Sequence, residues 1–519
     1  MGRFLNPKAL RAGSEGKAGG ASLRETPPAM RGEGVPAGGG GSATLGEVLV
    51  ETRPRGPSNN GGSQDRRLTS GGARKRAPWQ PQAEPSELAA SDATAAGSSR
   101  PLMVRVGNIA LFLYLISGEL NDLSHHFFGV NAYVSWVSQI LLAIALVSSG
   151  SLLRAWNLRV GKLWILLLVL MIASVPLSEW PGRSFHSVID YFMRSTLIFF
   201  AVCAFVVDAQ TLKTAILGEV VNGWLVLVSC MTMGGAAPGG DRFALLDSYF
   251  YQGANDLAMT LTIAAGFFLY WTVQSNFFKV ALGGVSLLSA IYFIMKTGSR
   301  GGFLALAILL AASVIFSVRY RWRIVPMLLL APGLLLFVPG DLTHRLGFIA
   351  LDSSKAHATT GDEGASLFSQ QEREYMFWRS VHLMVTHPIL GVGMECFRDT
   401  LNREDKEKHE HTVSLGTHNS YTQIGCECGI PALLVYLSIM FISLWRTYRV
   451  FREASGKPGL EPFAAAALCL VSVMTGLSAA MFFYHSAYSP VVPILTGLMA
   501  GLGQAFHREM AALEAPAAA

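Results

Sequence analysis

Stretches such as "LWILLLVLMIASVPL", "LAMTLTIAAGFFLYWTV", "FLALAILLAASVIFSV" and "FAAAALCLVSVMTGLSAAMFFY" recur along the chain. Each approaches the roughly 18–20 apolar residues needed to cross a hydrocarbon layer. Their apolar character runs all the way round rather than along one face, which suits helices facing lipid. Only 15% of the 519 residues are charged, against about 25% in a soluble domain. The sequence therefore predicts an all-α, polytopic membrane protein.

About twelve spans are expected, at 102–118, 130–150, 162–178, 195–209, 214–235, 253–274, 278–296, 301–318, 323–339, 428–445, 462–485 and 489–506. Arg74, Lys75, Arg76, Arg100 and Arg105 precede the first and favour a cytoplasmic amino terminus. The even loops then face the cytoplasm. They carry "RAWNLRVGK", "RYRWR" and "RTYRVFREASGKPG", in keeping with the positive-inside tendency. The odd loops are external: 119–129, 179–194, 236–252, 297–300, 340–427 and 486–488.

This divides the chain into a tail (1–100), nine spans (101–339), a large periplasmic loop (340–427), three spans (428–506) and a short cytoplasmic tail (507–519). The first tail is rich in Gly, Ser, Ala, Pro and Arg, with almost no aromatic residues. It is expected to be disordered, and nothing near Met1 reads as a cleavable signal peptide. Its basic residues read as a solvated tail, with no nucleic-acid partner expected.

The large loop contains its own helical pattern, "QQEREYMFWRSVHLMVTH", which His387-Pro388 should stop. Three external arginines run against the usual charge distribution: Arg242, Arg300 and Arg373. An arginine at a membrane boundary can simply snorkel to headgroups. Several together offer planar donor forks suited to phosphate oxygens. Gly298, Gly301 and Gly302 flank Arg300 and would permit close approach. A helix starting near Gly301 would further favour an anion. His418, in "THNSY", is the side chain best suited to take a proton near neutral pH. Asn419, Ser420 and Tyr421 stand beside it, able to bond neighbours.

Two other features carry less. "KHEHTVSLGTH" offers His409 and His411 as an HxH pair, but on a highly charged segment, so no metal is expected. The six cysteines form no zinc pattern. Cys396 could meet Cys426 or Cys428 in an oxidising compartment, and the spacing selects neither.

These motifs together resemble the O-antigen ligase family, with its related Wzy-type polymerases and protein O-oligosaccharyltransferases. "DRFALLDSYFYQGANDLAMTL" is similar to the family's Arg-then-Asn segment, matching Arg242 and Asn255. "TGSRGGFLAL" resembles its Ser-Arg-Gly helix start, at Arg300. "EREYMFWRSVHLMVTHPILGVGMECF" resembles the opening of its large loop, at Arg373. "HNSYTQIGCECGIPALLVYL" supplies His418, Asn419, Tyr421, Glu427 and Gly429, with Thr422 and Pro431 departing from the usual Leu and Gly. The likeness covers roughly residues 230–445.

The resemblance implies a membrane glycosyltransferase of GT-C type, inverting, and needing no metal or other cofactor. Its donor would be an undecaprenyl-diphosphate-linked glycan and its acceptor a hydroxyl at the periplasmic face of a bacterial inner membrane. Lipid A-core is the first expectation for that acceptor. A polysaccharide polymerase and a protein O-glycosylating enzyme share the same donor chemistry. The implied roles are His418 as general base and Arg300, Arg373 and Arg242 at the diphosphate. Asn255, Asn419, Tyr421 and Glu427 are expected in support. A transporter is the alternative of another class. It would carry charges near the membrane midplane and internal repeats, whereas here the notable charges gather at one face.

Overall fold

Apolar all-round helices need polar punctuation to start and stop, and the chain supplies it. Asp208 accepts from the amides of Gln210 and Thr211, a capping box that opens one helix. Asn276 and Asn419 cap two others through their side-chain oxygens. The computed structural model describes residues 102–236, 242–246, 248, 251, 253–273, 276–316, 322, 324–325, 362–407 and 416–514. The expected tail 1–100, the expected span 323–339 (but for Ile324 and Val325), His409 and His411 lie outside them.

The helices are α1 (Leu102–Phe128), α2 (Val134–Ser148), α3 (Ser151–Asn157), α4 (Arg159–Ser174), α5 (Pro181–Tyr191), α6 (Leu197–Phe205) and α7 (Ala209–Thr232). A hairpin follows, pairing β1 (Gly234–Ala236) antiparallel with β2 (Phe243–Leu245). Then come α8 (Ala254–Thr272), α9 (Phe277–Lys296), α10 (Arg300–Phe316), α11 (Asp362–Thr386) and α12 (Phe397–Glu407). The last three are α13 (Ser420–Ala454), α14 (Glu461–Ala480) and α15 (Val491–Glu514).

Among the described residues, seven helical segments are long and apolar enough to cross a membrane, or eight if the bent pair α2–α3 is one span. The fold is all-α and polytopic, as expected. Several boundaries move. The span expected at 195–209 belongs to a longer helical run, Pro181–Phe205, joined through a π-turn at Phe192–Thr196. The helix expected from 428 begins at Ser420, and the one expected to reach 485 ends at Ala480. The helix expected to end at 118 continues to Phe128.

Small residues set the centre of the bundle. In α14 most of the apolar window is buried, because Ala, Gly and Ser on every side let other backbones come close. A Cβ on Gly476 would press on Leu309 and the Ala305 carbonyl of α10, and one on Gly266 of α8 would collide with Val473. Cys469 lies on the same seam, its thiol toward the Gly266 carbonyl at 3.2 Å.

The connections expected on one side do gather at one end of the bundle. Glu119 accepts from Tyr251, Arg242 donates to the Thr297 carbonyl, and Ser299 bonds Tyr484. The Glu179 amide donates to Val392, and Arg183 pairs with Asp399. Elsewhere, Ala209, Lys213, Tyr270 and Pro462 line one shared hollow.

Candidate active site

Four chain segments build the site, and each is held by its own bonds. The first is the turn from α9 into α10. Ser299 accepts from the Gly302 amide at 3.2 Å, capping the helix that Arg300 opens. Its hydroxyl also bonds the Tyr484 hydroxyl at 3.0 Å. Gly298 takes the turn at φ 59°, in the left-handed region, where glycine carries no Cβ penalty.

The second is the hairpin. Arg242, just before β2, donates from Nε to the Thr297 carbonyl (3.0 Å) and from Nη2 to Asn255 Oδ1 (2.6 Å). Two predicted residues therefore meet, and part of the Arg242 fork is spent tying the hairpin to α8 and α9. Beneath, two buried acids of α1 hold the segment leading into α8. Glu119 accepts from Tyr251 and from Ser229 (3.0 Å), and Asp122 accepts from Ser248. Both acids fall in the expected loop 119–129, which the structure makes the end of α1.

The third segment is α11, which presents Arg373. Met376, Ser380 and Leu383 bury the same side of the helix. Burial first, and then the charge of Arg300, lower the pKa of Arg373, while Tyr484 and Glu372 oppose that shift. Arg300 and Arg373, on separate helices, thus lie close enough to feel each other's charge. Two cations held together in partly desolvated surroundings favour an anion between them.

The fourth is the entry to α13 with the stretch after α14. Asn419 caps α13, its Oδ1 accepting from the amides of Tyr421 (2.9 Å) and Thr422 (3.1 Å). Ser420 stitches the two strands of chain together: its amide donates to the Met481 carbonyl and its hydroxyl to the Tyr484 carbonyl at 2.6 Å. That stitching sets His485 against His418, their ring centroids 5.4 Å apart. His418 itself adopts φ 50°, a left-handed conformation that costs a non-glycine residue about 1–2 kcal/mol.

Burial lowers the His418 pKa to about 4, helped by His485, Arg373 and Arg398. Its imidazole is accordingly uncharged at neutral pH, with one nitrogen free to accept a proton. Burial likewise pushes the Tyr484 phenol up to about 12.

Two of the residues expected in support, Tyr421 and Glu427, bond to other parts of the fold. Tyr421 donates to the Ser478 carbonyl (2.8 Å) and packs on Phe482. Glu427 is a buried clasp: Oε1 accepts from the Phe397 amide (3.2 Å) and Oε2 from the Tyr488 hydroxyl (2.7 Å). Among the described residues no cluster suited to a metal ion is present. All six cysteines are free and buried, Cys396 and Cys426 within one small apolar cluster.

The fold and this site define a multi-pass membrane protein with converging cations and a neutral histidine at one end of its helix bundle. Residues 285–437 match the family described as O-antigen ligase, so this stretch of the chain is similar to that family. The match takes in Arg300, Arg373, His418, Asn419, Tyr421 and Glu427, and leaves Arg242, Asn255, Tyr484 and His485 outside. Comparison with curated proteins finds no match.

Proposed function

We propose that this chain transfers a glycan from a lipid diphosphate, undecaprenyl diphosphate as the bacterial carrier, to an acceptor hydroxyl at the periplasmic face of the inner membrane. The acceptor read first is lipid A-core. The observation that carries the reading is the His418–His485 ring contact, with Arg373 in electrostatic reach of both His418 and Arg300, inside or beside the stretch that matches the O-antigen ligase family.

The chemistry follows from charge. As the anomeric C–O bond breaks, negative charge grows on the departing diphosphate, so fixed cations act most strongly in the transition state. Arg300 and Arg373 take that role. His418 accepts the proton of the acceptor hydroxyl while its oxygen bonds the anomeric carbon from the opposite face, giving inversion. An empty site keeps His418 neutral. Once the diphosphate offsets the charge of Arg373, one cause of that low pKa is removed, and the imidazole becomes a stronger base when donor is present.

A polymerase or a protein O-glycosylating enzyme would use the same donor groups, and only the acceptor distinguishes them. The test offers purified protein three acceptors side by side with a carrier-linked donor: lipid A-core, a second carrier-linked glycan, and a Ser-containing peptide. Product on lipid A-core alone supports ligation. Product on another acceptor alone replaces that assignment.

A further inference from the structure

Helix α11 has two opposed faces, and the chemistry above uses only one. At about 100° per residue, Trp378, His382 and Val385 lie about 140°, 180° and 120° around the helix from Arg373. Arg373 shares its side with buried Met376 and Leu383, whereas Trp378 is 61% exposed, Val385 65%, and Ile389, just past the helix end, 70%. Tyr375 belongs to the same outer stripe. An exposed aliphatic and aromatic stripe is costly in water at about 25 cal/mol per Å² of apolar surface.

The neighbouring helix identifies what covers it. Met384 packs against Gly425 of α13, and the Ile430 amide donates to the Pro388 carbonyl at 2.8 Å. A Cβ on Gly429 would collide with the Ile389 carbonyl. The stripe of α11 therefore runs onto α13 at Gly429–Ile430, where the exposed row Leu434, Leu437, Phe441 and Trp445 begins. That row belongs to a membrane-spanning candidate, and Arg446, Arg449 and Arg452 mark where its apolar length stops. From Ile430 to Trp445 is about 23 Å at 1.5 Å per residue, less than the ~30 Å hydrocarbon thickness. Ile389 thus stands at a level that the bilayer still covers.

From these relationships we infer that the outer face of α11 is a membrane-contact surface. Val385 and Ile389 enter hydrocarbon, and Trp378 and Tyr375 occupy the headgroup layer, where amphipathic rings settle. The occupant is lipid of the leaflet on the Asn419 side. Resting on the proposed function, this adds that Arg373 is held near headgroup depth, where a lipid-borne diphosphate lies. The surface itself depends only on the membrane assignment.

The experiment reads depth, not transfer. Because all six native cysteines are buried, Val385→Cys, Trp378→Cys and a water-facing control, Lys406→Cys, can each carry a nitroxide in the full chain. Reconstituted into phosphatidylethanolamine–phosphatidylglycerol vesicles, each is relaxed with oxygen, which concentrates in lipid, and with a neutral nickel chelate, which stays in water. The expected result is oxygen exceeding chelate several-fold at Val385, near balance at Trp378, and the reverse at Lys406. Chelate access at Val385 equal to that at Lys406 would overturn the inference. So would protection of Val385 from both reagents, which would mean that protein covers the stripe. A protein inactive in transfer still gives the same depth profile, so the two readings fail separately.

Discussion

The imidazoles of His418 and His485 stand edge to face, 5.4 Å between centroids and 82° between planes. One precedes α13 and the other follows α14, and Ser420 binds the two stretches together. With Arg373 and Arg398 also acting on it, His418 resists protonation.

That resistance sets a pH dependence. Protonation removes the base, so activity falls as pH drops through the His418 value, about 4 in the free protein. The acid limb of kcat/KM, which reports free enzyme, should therefore contain no loss from His418 near 6.5. His485→Gln removes one of the groups that disfavours protonation, so the limb should move upward. A wild-type limb at 6.5 that is unmoved in His485→Gln would contradict this.

Arg300→Lys and Arg373→Lys keep the charge and lose the planar fork. A charge-assisted hydrogen bond is worth about 1.5–3 kcal/mol, so kcat should fall roughly tenfold to a hundredfold. Thermal unfolding in detergent should change little. Steady-state kinetics beside an unfolding curve separate the two effects.

Glu427→Gln tests the clasp rather than the chemistry. One oxygen still accepts, but an NH2 then either opposes the Phe397 amide or donates to the Tyr488 hydroxyl, whose own hydrogen loses its carboxylate acceptor. Leaving such a buried pairing unmet costs about 1–3 kcal/mol. The unfolding midpoint should drop, with the surviving folded fraction retaining most of its turnover.

Gly429→Ala should be worse. Gly429 has φ 88° inside α13, and a Cβ would strike the Ile389 carbonyl. Backbone strain of about 1–2 kcal/mol adds to about 1–3 kcal/mol of overpacking. Yield of folded protein in membranes, measured by gel filtration, should fall sharply relative to Gly456→Ala, where nothing lies within 4 Å of the added Cβ.

Much of this was legible in the chain. Hydropathy marked the helix bundle, and the ordered motifs singled out Arg242, Asn255, Arg300, Arg373 and His418. Tyr484 and His485 escaped notice because "SAAMFFY" stays apolar past the true helix end at Ala480, with no Gly, Pro or charge to mark it. The start of α13 at Ser420, ahead of the expected 428, is hidden for the opposite reason. Gln423 and Glu427 look too polar for a helix entering a membrane, yet Glu427 is satisfied by Phe397 and Tyr488. Such long-range partners are invisible along the sequence. Glu119 likewise looks like a loop residue in sequence, because Ser229 and Tyr251, which satisfy it, come from far along the chain.

Transfer from a lipid diphosphate at Arg300, Arg373 and His418 is the activity proposed for this chain. Its most direct test is release of undecaprenyl diphosphate from a glycan-loaded carrier by purified protein supplied with acceptor, counted against glycosylated product. One carrier should be released per glycan transferred, with both lost in His418→Ala and strongly slowed in Arg373→Lys. Equal release and transfer by wild type and His418→Ala would contradict it.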